Sequence, residues 1–278
     1  LVLFTSGTTG APRGVVHSPA SLAATMTMAS RFVGLGPDDR VLGNGLHLVA
    51  PALLAGAAVI LPPPRGGDTA LAKLTRRLEV SHVSLPLHRA LAWAAAGGSS
   101  SALQMVMLGS APVRNVGLRE LATHIPAARI ATAYGLTEHL LVASLSADER
   151  LAHDERRGDL VGYPLPGVQV HVADDGEVHV AGPALARGYL GDPAILTGVP
   201  TGDLGYLDDA GRLVLIGRRK EMIIRDGKNI YPALYEAPLA HAADLAAAVM
   251  VGVPAPDGDE SVVLFAVPNP GESQAVAR

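Results

Sequence analysis

The chain has no cysteine. Disulfides, thiolate nucleophiles, iron–sulfur centres and cysteine-ligated zinc are thereby excluded, which suits a cytoplasmic protein. It also lacks an excess of basic charge, since 22 Lys and Arg against 26 Asp and Glu leave a formal net charge of −4. Phosphate-rich surfaces are read by clustered cations, so nucleic acid is not an expected partner, although small anionic ligands are compatible with this balance. Nor is there a long hydrophobic run. The longest, Leu48 to Leu61, falls short of the ~20 residues of a membrane-crossing helix, so no membrane span is expected. Glycine and proline, at 31 and 21 residues, stay below the roughly 25–30% that signals disorder. What remains, 49% hydrophobic and 17% charged, describes a globular, water-soluble chain with many sharp turns.

The hydrophobic periodicity divides the chain by texture. Leu1–Phe4 reads as a strand, Ser18-Pro19 as the start of a helix running to about Val33 and stopping at Gly34, and Asp68 as the cap of a second helix with Leu71, Leu74 and Leu78 on one face. Val80–Leu85, Gln104–Leu108 and Ile130–Tyr134 read as short buried strands, with helices after Pro86 and around Leu118 and Leu121. Such alternation predicts an α/β architecture. Beyond about residue 160 the period changes to two: Val168, Val170 and Val172, a turn at Asp174-Asp175-Gly176, then Val178 and Val180 predict a hairpin. A second hairpin is expected through Tyr206-Leu207 and Leu213–Ile216. A small α+β unit follows the charged break Arg218–Glu221, with a helix near Pro238–Ala247 and strands over Ala248–Gly252 and Val262–Val267.

Chemistry concentrates first in Thr5-Ser6-Gly7-Thr8-Thr9-Gly10-Ala11-Pro12-Arg13-Gly14. Hydroxyls, closely approachable backbone amides and one cation together can cradle phosphoryl oxygens. The spacing is not that of a Walker A loop, and composition alone balances this reading evenly against an ordinary flexible loop.

Taken with four later segments, this loop resembles the phosphate-binding signature of the adenylate-forming enzymes, the superfamily of acyl-CoA synthetases, peptide-synthetase adenylation domains and luciferases. The other segments follow in the family's order: Tyr134-Gly135-Leu136-Thr137-Glu138, Gly182–Leu190, Thr201-Gly202-Asp203 and Gly217–Pro232. The resemblance implies an α/β fold with a β-rich subdomain. A partial large adenylation domain over residues 1–219 would be followed by a partial small α+β C-terminal lid domain over 220–278. It implies an ATP-dependent ligase using Mg²⁺, of a kind at work in fatty acid metabolism. A carboxylic acid would become an acyl-adenylate with loss of pyrophosphate, and the acyl group would pass to CoA or an acyl carrier protein. Thr5, Ser6, Gly7, Thr8, Thr9 and Gly10 would hold the β- and γ-phosphates with Arg13. Thr137 would lie near the α-phosphate and Glu138 on the metal. Gly109, Ser110, Ala111 and Tyr134 would face the adenine, Asp203 and Arg218 the ribose, and Lys220 would be the hinge. His47, beside the family's acyl-pocket segment, reads instead as a packed, hydrogen-bonded histidine.

Three departures bear on these expectations. Arg13 stands where the family commonly has lysine, a change from a flexible point charge to a planar fork. The Asn44–Leu61 segment is short for an acyl-CoA synthetase. The chain opens inside a strand without Met, and nothing in Val267–Arg278 matches the family's terminal lysine signature. It is therefore expected to be a segment of a longer protein, to expose some core surface, and to adenylate poorly when made alone. Asn44–Ala58 holds no acidic residue to meet a substrate ammonium, while Leu46, Leu48, Val49, Ala52, Leu53, Leu54, Leu140 and Leu141 are apolar, so an apolar acyl or aryl acid is expected. Two other readings stay open. One is a β-lactone synthetase acting on β-hydroxy acids; the other is a degenerate relative that binds nucleotide without turnover.

Overall fold

The computed structural model describes residues 1–5, 12–43, 45–62, 67–225, 228–242, 245–255 and 260–269. Ser6–Ala11, and with them most of the phosphate-loop signature, lie outside the described residues. The first half of the chain alternates as expected: β1 (Val2–Thr5), β2 (Arg13–Val16), α1 (Pro19–Val33), β3 (Arg40–Leu42), α2 (Leu46–Leu54), β4 (Ala58–Ile60), α3 (Asp68–Arg77), β5 (His82–Leu85), α4 (Leu87–Ala95), β6 (Met105–Leu108), α5 (Asn115–His124) and β7 (Arg129–Leu136). Strands then dominate: β8 (His139–Ser146), a short α6 (Ala147–Leu151), β9 (Asp159–Pro164), β10 (Gln169–Val172), β11 (Glu177–Ala181), β12 (Gly188–Tyr189), β13 (Val199–Leu207) and β14 (Leu213–Arg218). After β14 come β15 (Ile223–Arg225), β16 (Lys228–Ile230), α7 (Pro232–Ala242), β17 (Leu245–Pro254) and β18 (Glu260–Pro268).

Among the described residues, eleven strands form one sheet in the order β10-β11-β13-β14-β9-β8-β7-β6-β5-β3-β4. From β4 to β7 the neighbours run parallel; from β7 to β10 they run antiparallel. The two faces of β6 show how the parallel half is buried. Val106 and Leu108 pack with Leu71, Trp93, Leu118 and Leu121 of α3–α5, whereas Met105 and Met107 pack with Val33, Leu48 and Ala52 of α1 and α2. Alternate side chains point to opposite faces of a strand, so an uninterrupted apolar run such as Met105–Leu108 fits a sheet covered on both sides.

Local chemistry explains the element ends. Ser18 accepts a hydrogen bond from the Ser21 amide with Pro19 in the first turn of α1, and Gly34 closes the helix at φ 76° with its N–H on the Ser30 carbonyl. A Cβ at Gly34 would meet open space, so Gly34→Ala costs only the left-handed backbone penalty, about 1 kcal/mol. A fall of about 2–4 °C in the thermal midpoint is expected. Asp68 differs from its expected role: Gly67 occupies the cap, and Asp68 lies in the first turn of α3, where its carboxylate pairs with Arg89 at 3.0 Å. The last helix also differs, starting at Pro232 and ending by Ala242. Alanines 246–248, good helix formers, are drawn into β17 because Ala247 and Ala248 pair with Val267 and Ala266 across a ladder that local propensity cannot register.

Candidate active site

In open sheets containing parallel strands, ligands collect beyond the strands' carboxyl ends where the connection pattern changes. Here that place is the end of β6 and β7, beside the change from parallel to antiparallel pairing. A cleft of about 470 Å³ opens there, lined by Ser110 and Ala111 after β6, Tyr134 on β7, Asp203 on β13 and Arg218 at the end of β14. Its size suits a small organic ligand. Ser110 holds φ 65°, a state that costs a non-glycine residue roughly 1 kcal/mol. Gly109 lies beneath, so close to β7 that a Cβ would stand 3.1 Å from the Ala133 carbonyl.

Asp203 organises the cleft's polar wall. Residues 203 and 218 are direct partners in the β13–β14 ladder, which brings Arg218 Nε to 2.6 Å from Asp203 Oδ1. The Tyr134 hydroxyl donates to Asp203 Oδ2 at 2.5 Å. The preceding residues fix the backbone: Gly202 takes φ 75°, the Asp203 amide donates to Thr201 Oγ1 at 3.1 Å, and the Thr201 hydroxyl donates to the Val178 carbonyl. Burial pushes the Asp203 carboxyl above the usual carboxylate range, against the downward pull of the Tyr134 hydrogen bond and the Arg218 charge. Burial, and then the Asp203 charge, pushes the Tyr134 hydroxyl up, which keeps it a donor. A carboxylate has roughly four lone-pair directions, so both oxygens can still accept from a ligand.

The second cluster lies just beyond β7. Thr137 and Glu138 form the turn between β7 and β8, where Leu136 pairs with His139. His17 Nε2 lies 2.8 Å from the Thr137 carbonyl, and the Ala186 amide donates to the Glu138 carbonyl at 2.8 Å. Because a carbonyl only accepts, the proton of His17 belongs on Nε2. The Tyr189 hydroxyl donates to Glu138 Oε1 at 2.9 Å, while the Arg13 guanidinium sits 3.6 Å from the centroid of the same ring. Burial, followed by the Glu138 hydrogen bond and charge, drives the Tyr189 hydroxyl up to about 12.

The predicted residues thus fall into two neighbouring groups joined by the Tyr134–Glu138 segment. Ser110, Ala111, Tyr134, Asp203 and Arg218 share the cleft; Arg13 and Glu138 meet through Tyr189. Thr5 pairs with Arg13 across the β1–β2 ladder, whereas Ser6, Gly7, Thr8, Thr9 and Gly10 lie outside the described residues. Lys220 lies in a 3-10 turn over Arg219–Glu221, directly after β14. His47 is on α2, half-buried, with its ring over Gly45, where a Cβ would come within 2.4 Å of it, and burial lowers its pKa. Of the apolar residues expected around an acyl group, Leu48, Ala52 and Leu141 are buried, but Leu53 and Leu54 are exposed at the solvent side of α2. Tyr189, His17 and Arg150 escaped the sequence reading. Arg150 is buried at the cleft wall, pairing with Asp159 at 2.7 Å and donating to the carbonyls of Val113 and Leu160. Tyr189 alone carried a signal, as part of the Gly182–Leu190 segment.

Comparison with known proteins gives the site a context. Indoleacetate–CoA ligase of Aromatoleum aromaticum is 31% identical over 98% of this chain and 58% of its own length. The amide bond synthetase McbA from Marinactinospora thermotolerans superposes with a TM-score of 0.84 at 28% identity, covering 99% of this chain and 60% of that one. The o-succinylbenzoate CoA synthetase from Bacillus subtilis, solved with the acyl-adenylate intermediate, superposes with a TM-score of 0.83 at 25% identity over 98% and 60%. The chain spans between 52% and 58% of the length of the curated relatives it matches. Residues 1–190, which hold Arg13, Tyr134, Thr137, Glu138 and Tyr189, match the model of the AMP-binding enzymes. Together with the α/β sheet and the cleft at its switch point, this shows that the chain belongs to the AMP-binding enzyme family.

Proposed function

We propose that the protein of which these residues form the nucleotide-binding part is an acid–thiol ligase. It would join a carboxylate to the α-phosphate of ATP, release pyrophosphate, and pass the acyl group to CoA or a carrier thiol. The observation that carries this reading is the Tyr134–Asp203–Arg218 constellation at the cleft beside the Thr137–Glu138 turn. In it, Asp203 accepts from the ribose hydroxyls with Arg218 assisting, and Gly109, Ser110, Ala111 and Tyr134 border the adenine. Thr5, the loop 6–10 and Arg13 meet the β- and γ-phosphates, while Thr137 faces the α-phosphate. Such a reaction is largely a matter of alignment and of neutralising negative charge, which hydroxyls, a backbone turn and one guanidinium can do.

Glu138 fits Mg²⁺ chemically. It offers a hard carboxylate oxygen, Oε2, beside the Oε1 bound by Tyr189. Among the described residues no group of three or more His, Asp or Glu could hold a metal; in this reading the ion keeps waters and arrives on substrate phosphates. When bound, the ion would neutralise phosphate charge. Lys220, at the turn where the chain leaves the large sheet, would be the hinge between residues 1–219 and the lid over 220–278.

For the substrate, an aryl acid is favoured over a plain acyl chain. Indoleacetate and succinylbenzoate, the acids in the relatives' names, are aromatic. Among the described residues no helix is long and apolar enough to cross a membrane. No observation favours the lactone-forming or the non-catalytic reading. The test is carboxylate-dependent ATP–pyrophosphate exchange by the full-length protein with indoleacetate, 2-succinylbenzoate, benzoate and a series of fatty acids. Exchange with the aryl acids is expected; exchange with none of the acids overturns the proposal.

A further inference from the structure

We propose that Tyr189 is a positioning residue that aligns two charged groups with one side chain: its hydroxyl orients the Glu138 carboxylate and its ring seats the Arg13 guanidinium. This rests on the reading of Glu138 as the group that meets the nucleotide's magnesium. Three sets of contacts carry it. The hydroxyl lies 2.9 Å from Glu138 Oε1, and the guanidinium carbon lies 3.6 Å from the ring centroid. The backbone of Tyr189 is fixed against the strand bearing Arg13, since Tyr189 pairs with Val15 and the Leu190 amide donates to the Gly14 carbonyl at 2.7 Å. Finally, the main chain of the turn is held independently of Tyr189, by His17 on the Thr137 carbonyl and by the Ala186 amide on the Glu138 carbonyl.

That independence gives the tyrosine a specific task. With both carbonyls of the turn anchored elsewhere, the remaining freedom of Glu138 lies in its side-chain torsions, and the Tyr189 hydroxyl restricts these. A hydrogen-bonded partner behind a metal-binding carboxylate sets the direction of its free oxygen without touching the ion. The ring meanwhile offers its electron-rich face to Arg13. Arginine suits that seat better than lysine would, because its planar guanidinium stacks on an aromatic ring. The stack thus gives the departure from the family's usual lysine a structural counterpart.

The experiment compares Tyr189→Phe, which keeps the ring, with Tyr189→Leu, which removes both functions. ATP binding to this chain is measured by titration calorimetry with Mg²⁺ and again in EDTA, with thermal unfolding as a check that each variant is folded. For Tyr189→Phe the Mg²⁺-dependent gain in ATP affinity is expected to fall about tenfold, with metal-free binding unchanged. Tyr189→Leu is expected to weaken metal-free binding as well, by about threefold, through the lost Arg13 seat. Tyr189→Phe with the wild-type Mg²⁺ dependence, or with equal weakening in both conditions, overturns the role of Tyr189 alone. A wild-type chain that binds ATP no better with Mg²⁺ than in EDTA overturns the reading of Glu138, and the role of Tyr189 with it.

Discussion

Asp203→Ala is expected to lower the affinity for AMP about 100-fold, measured by calorimetric titration. Two hydrogen bonds from ribose hydroxyls to a buried carboxylate are charge-assisted, and losing such a pair removes about 3 kcal/mol of binding. The substitution also strips Tyr134 and Arg218 of their shared partner, since both bond the same carboxylate, so the cleft loses its preorganisation along with its acceptor. Asp203→Asn keeps the shape and one acceptor oxygen, and a loss of about tenfold is expected from it. The fold should tolerate either change. Burial already strains this carboxylate in its charged form, so removing the charge also removes a desolvation cost. An AMP affinity for Asp203→Ala within twofold of wild type would show that ribose is held elsewhere.

The largest stability effect is expected from Trp93→Ala, at about 3–5 kcal/mol, read from the shift of a urea unfolding midpoint. Trp93 is fully buried between α3 and α4 in the cluster that includes Leu71, Leu118 and Val106. Its indole N–H donates to Thr75 Oγ1 at 3.1 Å. The chain makes room for it at Gly98, where a Cβ would fall 2.2 Å from the indole nitrogen. Truncation leaves a cavity in the layer that supports β5 and β6, and the surrounding helices can collapse only partly. The Thr75 hydroxyl keeps its bonds to the carbonyls of Ala72 and Gly98, so the cost is one of packing rather than of an orphaned polar group. Trp93→Phe, which refills most of the space, is expected to cost about 1–2 kcal/mol. Since single domains hold only about 5–15 kcal/mol in total, the alanine variant should unfold at a visibly lower temperature while nucleotide contacts in the surviving folded fraction stay intact.

The elements that were legible in advance have local causes. Ser18-Pro19 and Gly34 bracket α1 because a side-chain cap, a fixed proline φ and a left-handed glycine act within one turn of chain. The hairpin β10–β11 was legible because alternation of apolar and polar residues meets a glycine-bearing turn, and β13–β14 because apolar runs flank the turn Asp208–Gly211. The candidate site was read from an ordered series of short segments. Asp203 and Arg218 were assigned to the ribose from such segments, fifteen positions apart, although no local rule makes them neighbours.

The sequence by itself determined most element types, the family, and which residues are candidates for the chemistry, because those depend on side-chain character and on turns a few residues long. Tertiary structure decided what touches what. It made residues 203 and 218 partners on adjacent strands, drew an alanine-rich stretch into β17 and buried Arg150 at the cleft wall. It also set a tyrosine and a histidine, both outside the residues assigned from sequence, against the Glu138 turn. The physical reason is that strand pairing and burial are long-range. A ladder partner or a desolvated charge is fixed by the other side of the sheet, and neither leaves a mark in the few residues around it.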